Sequence, residues 1–139
     1  MRYLESQISY LKPQSKQYSR VLVIIYGNTN AMKILDIHKT ITPAQLTELL
    51  QAKLNALFQQ QRQSQISFTI ADREGVVEIS NPELYEGFLF RIEIKGTELL
   101  TTRSEHYVDD VNSLTLESIL NELFAEVAEG GKVTLVLEG

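Results

Sequence analysis

Two stretches of this chain spell the same order of elements: strand, strand, amphipathic helix, strand. The first runs from Ser19 to about Asp72 and the second from Phe88 to the C-terminus, and each closes on an alternating apolar run that returns directly from its helix. Helices with one apolar stripe and strands with one apolar face hide both only by stacking. The doubled unit therefore predicts an α+β fold, a single domain with a largely antiparallel sheet and two long amphipathic helices packed on it. At 139 residues the chain has the length of one ordinary domain, enough to bury roughly 68–70% of the surface its unfolded form exposes.

The helices are the clearest elements. Thr42-Pro43-Ala44-Gln45 places an N-cap hydroxyl, a proline at the first helical position and a glutamine at the capping-box position. Leu46, Leu49, Leu50, Leu54, Leu57 and Phe58 follow at helical spacing, with Thr47, Glu48, Gln51 and Lys53 expected to face outward. The run Gln59 to Gln63 reads as a solvated last turn, glutamine being a good helix former. A second helix is expected from about Ser113 to Thr115 onward, carrying Leu116, Ile119, Leu120, Leu123, Phe124 and Val127 on one stripe and capped by Gly130-Gly131.

Between and around the helices the period drops to two. Val21 to Tyr26 is a continuous apolar run, expected as a central strand that forms a hairpin through Gly27–Asn30 with a strand from Met32 to Lys39. Ile66, Phe68 and Ile70 alternate with polar residues, Asp72 to Gly75 supplies a turn, and Val76 to Ile79 pairs back until Asn81-Pro82 breaks the ladder. Phe88 to Ile94 alternates again, Leu99 to Arg103 is its hairpin partner, and Glu105 to Asn112 reads as an acidic loop. The last strand is expected to carry Val133, Leu135 and Leu137 on one face. Residues 1–18 are expected to form a separate N-terminal piece, a short helix stopped by Pro13 and followed by a polar linker, with the domain proper spanning 19–139.

Composition narrows the chemistry. With no cysteine, disulfides, thiol catalysis and thiolate metal sites are excluded, which suits a reducing compartment. The N-terminus lacks the apolar core of a secretory leader, and the longest apolar run is too short to cross a bilayer, so a soluble cytoplasmic protein without a membrane span is expected. The net charge of −5 is uneven: residues 1–64 carry eight Lys/Arg against three acids, and residues 65–139 carry five against fifteen. Halves of one domain usually interleave, so this asymmetry reads first as a sequence feature and not as a dipolar surface.

Imidazole chemistry rests on two residues. Asp36 and His38 would point to the same side of a strand, and His106 sits beside Glu105, Asp109 and Asp110. Asp36, His38, His106 and Asp109 are thus the candidate ligand-binding residues, although both groups also match an ordinary solvated surface. The acidic group lacks the alternating ligands and turn glycine of a calcium loop, so neither a metal nor another cofactor is expected. Gly27 follows a strand without the glycine series or lysine that cradles phosphate. Phe88 and Phe90 lack the flanking basic stripe of a nucleic-acid surface, so no nucleic-acid partner is expected. The reading is therefore a non-catalytic protein-interaction or assembly module whose partners include a second copy of itself, the alternative being a small-ligand or nucleotide-binding regulatory domain. Tyr3, Leu4, Ile8, Tyr10 and Leu11 form an apolar-aromatic face that would contribute to the contact between copies.

Overall fold

The computed structural model describes residues 31–107 and 110–139. In chain order these form β1 (Ala31–Asp36), α1 (Pro43–Arg62), β2 (Thr69–Arg73), β3 (Val76–Ser80), β4 (Phe88–Lys95), β5 (Glu98–Arg103), α2 (Asp110–Val127), a 3₁₀ turn at Glu129–Gly131 and β6 (Thr134–Glu138). The strands make one six-stranded antiparallel sheet in the order β2-β3-β4-β5-β1-β6, with both described helices on one face. The expected α+β class with an antiparallel sheet and two helices is the observed one.

Local chemistry sets most element ends as the sequence predicts. The Thr42 Oγ1 accepts from the Gln45 N–H and the Gln45 side chain accepts from the Thr42 N–H, each at 3.0 Å, closing a capping box. The β2–β3 hairpin turns through Glu74 and Gly75, with φ of 56° and 89°. Both positive values match a type I′ turn, whose twist suits paired strands. Asp72 Oδ1 accepts from the Gly75 N–H at 2.9 Å and holds it. Strand β1 ends earlier than the expected Lys39, because His38 adopts a left-handed φ of 60° while its N–H donates to Asp36 Oδ1. Helix α2 begins at Asp110, so the expected acidic loop already belongs in part to a helix.

The core lies between the helices and the sheet. Leu46, Leu50, Leu54 and Phe58 of α1 and Leu116, Ile119, Leu120, Leu123 and Phe124 of α2 are buried against Leu35, Val77, Ile79, Phe90, Ile92 and Leu99. Both helical stripes are therefore core, and Phe58 and Phe68 meet edge to face at 4.8 Å. A second, smaller cluster of Met32, Ile34, Leu100 and Leu137 occupies the opposite face of β5, β1 and β6.

Two strand expectations are corrected. The segment Val21–Tyr26 lies outside the described residues, but β1 was expected to pair with it as a hairpin. Both edges of β1 are instead taken, one by β5 and the other by β6. In β6 the register against β1 shifts between Ile34 and Leu35, so Val136 is the extra residue of a bulge. Leu137 consequently stands opposite Ile34 in the smaller cluster, while Leu135 stands opposite Leu35 at the rim of the helix-covered face. Leu135 is 52% exposed and Leu137 only 6%, where simple alternation would have given them one shared environment.

Candidate functional site

The two outer strands of the sheet differ in what meets their free backbone. Beyond β2 lies α1, whose Gln51, Asn55 and Gln59 fall four residues apart and so share one helix face. Gln51 Nε2 donates to the Ile70 carbonyl at 2.8 Å, Asn55 Nδ2 to the Phe68 carbonyl at 3.0 Å, and Gln59 Nε2 to the Ile66 carbonyl at 3.1 Å. Asn55 Oδ1 also accepts the Phe68 N–H at 2.7 Å, so one amide satisfies both backbone groups of that residue. The match is geometric. Four helical residues advance about 6 Å, and two extended residues about 6.6 Å, so amides at i, i+4 and i+8 meet alternate backbone groups. Ile66 and Phe68 precede β2 and Ile70 lies within it, so the ladder covers the approach to this edge and the first residues of the strand.

Gln51 is exposed as expected, and so are Gln60, Gln61 and Gln63, but Gln51 and Gln59 also bond backbone carbonyls that the sequence reading did not assign to them. Sequence reasoning missed the ladder although its signal is present: amides, not charges, recur at helical spacing beside the apolar stripe.

At the other side, β6 is paired with β1 alone among the described residues. Its Thr134–Leu137 stretch carries neither a charge nor a proline, the usual guards of an open strand, and Leu135 projects into solvent. Other exposed large apolar side chains are Leu84, Val111 and Leu114. Tyr85 and Tyr107 stack edge to face at 5.0 Å, which ties the loop holding Leu84 to the segment that leads into α2.

Asp36 and His38 do come together. Besides the backbone bond, their side chains approach to 3.7 Å, and His38 Nε2 lies 2.8 Å from Thr134 Oγ1, linking the end of β1 to the start of β6. Burial acts to raise the Asp36 carboxyl, but hydrogen bonds from the His38 N–H and the Thr97 side chain, with the His38 imidazole nearby, outweigh it and hold the carboxyl below its ordinary range. The backbone bond holds the local bend at His38, and the Thr134 contact fixes that bend against β6. His106 is not near this pair: it follows β5, whose Arg103 end lies opposite Ala31, at the far end of β1 from Asp36. It is exposed and lies 3.5 Å from Glu105. Asp109 lies outside the described residues, as do Tyr3, Leu4, Ile8, Tyr10 and Leu11. Among the described residues no group of three or more His, Cys, Asp or Glu side chains is placed to hold a metal ion, and no helix is long and apolar enough to cross a membrane.

A cavity of about 140 Å³ opens between α2 and the sheet at β1, β5 and the end of β6. Its floor is apolar, formed by Leu35, Phe90 and Phe124, and its polar lining includes Thr101 and Arg103. The Lys33 ammonium and the Glu117 carboxylate, both also in the lining, form an ion pair across it. No known protein family, curated protein or solved structure matches the chain.

Proposed function

We propose that this protein is a non-catalytic interaction and assembly module that associates with a second copy of itself through the outer edge of β6. The observation that carries the reading is the asymmetry of the sheet. At one side the stretch 66–70 that enters β2 is bonded by side-chain amides of α1, whereas β6 presents an uncharged stretch with an exposed leucine and is paired on one side only among the described residues. A strand of that kind is a template for a further strand, and an antiparallel pair of two β6 strands would continue the sheet across a two-fold axis. Leu135 would then pass from solvent to the contact.

The N-terminal helix of residues 1–18, its apolar-aromatic face and the two strand–strand–helix–strand units of the 19–139 domain belong to the same proposal, as does a cytoplasmic setting. Light scattering on the full chain and on Leu135→Lys is the test. A dimer that becomes monomeric in the variant, with an unchanged circular dichroism spectrum, supports the reading. A wild-type protein monomeric at tens of micromolar overturns it.

A further inference from the structure

We propose that the apolar half of the sheet's second face is a docking surface for the chain's own N-terminal segment, with the run Val21 to Tyr26 as its occupant. The surface is the face of β5, β1 and β6 opposite both described helices, not the outer edge of β6, and the proposal does not depend on association there. On it Met32 and Ile34 of β1, Leu100 of β5 and Leu137 of β6 form one cluster, with Val136 packed against it. Each of the four is at most 6% exposed, although the residues of both helices belong to the cluster on the other face. Side chains standing on an open sheet face keep one side in water, so burial this deep requires a cover.

The rest of the face bounds that cover. Met32, Thr102, Arg91 and Glu78 stand opposite one another in turn across β1, β5, β4 and β3, and so share the face. From β4 onward it is charged: Arg91 pairs with Glu78 at 3.1 Å, and Glu78 also with Arg73 at 3.2 Å. The apolar half is thus three strands wide, roughly 14 Å, which suits a single segment better than a globular partner. A second copy of the chain would bring about 20–30 residues a side to a stable contact, and the cluster with Val136 offers five. The chain enters the sheet at Ala31, next to Met32 of the cluster. Val21 to Tyr26, the longest apolar run in the sequence, precedes that point by only Gly27-Asn28-Thr29-Asn30. So short a tether holds the run at an effective concentration of roughly millimolar before any contact forms. Because β5 and β6 take both edges of β1, the run cannot fold back beside that strand. Turn residues at 27–30 bring it over the face instead.

Nuclear Overhauser contacts between methyl groups of the full-length protein test this. Contacts from the methyls of residues 21–25 to those of Met32, Ile34, Leu100 and Leu137 are expected in uniformly ¹³C-labelled protein. They should be absent from the isotope-filtered spectrum of a mixture of labelled and unlabelled chains, which reports only contacts between copies. The double variant Leu22→Asp with Ile24→Asp should lose them and shift the Ile34 and Leu100 methyl signals, while leaving those of Leu50 and Leu123, under the helices, in place. The wild-type contacts decide the proposal even where the variant does not fold. Contacts seen only between copies, contacts of the run to other parts of the molecule but not to the cluster, or no contacts at all would each overturn it, as would a folded double variant with Ile34 and Leu100 signals unmoved.

Discussion

Thr101 and Asp36 show two ways in which one residue can matter to this fold. The Thr101 hydroxyl is buried without a partner among the described residues, so its dehydration is uncompensated there. Replacement by valine keeps the volume and removes the orphan group, and should raise stability by about 1 kcal/mol. The urea midpoint reports it, and a fall of similar size would mean that the hydroxyl is satisfied after all. Asp36 acts through charge. Its folded-state carboxyl is held below the ordinary range, whereas the unfolded value is about 3.9. The resulting stabilisation is present above the unfolded value and disappears as pH falls through the folded one. Asp36→Asn keeps an acceptor for the His38 N–H but removes the charge. The Asp36 side chain is 24% exposed and its bonds lie near solvent, so the variant should be less stable at neutral pH by roughly 0.2–1 kcal/mol. Urea midpoints at about pH 7 and about pH 3 should show that gap closing in acid; a constant gap would assign the effect to something other than the carboxylate.

At the scale of elements, the amide ladder and the helical stripes make separable demands. Asn55→Ala leaves both backbone groups of Phe68 without their partner, at a cost of about 1–3 kcal/mol, and should also raise aggregation because the stretch leading into β2 is freed to pair elsewhere. Size-exclusion chromatography on heating reads the second effect, and a variant both destabilised and free of aggregates would show that the ladder guards nothing. Leu54→Ala, in the centre of the α1 stripe, should cost about 2–5 kcal/mol with no such change in solubility. These stripes were legible because each is set by neighbours three and four residues away, and the cap at Thr42 and the turn at Gly75 are likewise local. What local pattern could not supply was partnership. The Val136 bulge exists only against Ile34 and Leu35, far away in sequence, so alternation placed Leu135 and Leu137 together when pairing separates them. The same gap hid the double pairing of β1, and it left Asp36 with His38, but not His106, in one neighbourhood.

The whole molecule joins what the sequence halves divide. Helix residues from both halves share one core cluster. Lys53 of α1 pairs with Glu126 of α2 at 2.6 Å, and Lys33 of β1 with Glu117, so the basic first half and acidic second half interleave. A single unfolding transition is therefore expected across the described elements, and limited proteolysis should release no stable fragment cut between Ile79 and Phe88. A persistent resistant half would contradict this. The placement of β1 has a further bearing on how the chain reaches this state. It is the first described strand, yet its partners begin at Glu98 and extend to Glu138, so its ladder is non-local on both sides. Loops of that span must close before either pairing contributes anything. During synthesis β1 therefore leaves the ribosome long before a matching strand exists. For that interval β1 lacks both of its described partners, and the nascent chain is most open to pairing with the wrong strand.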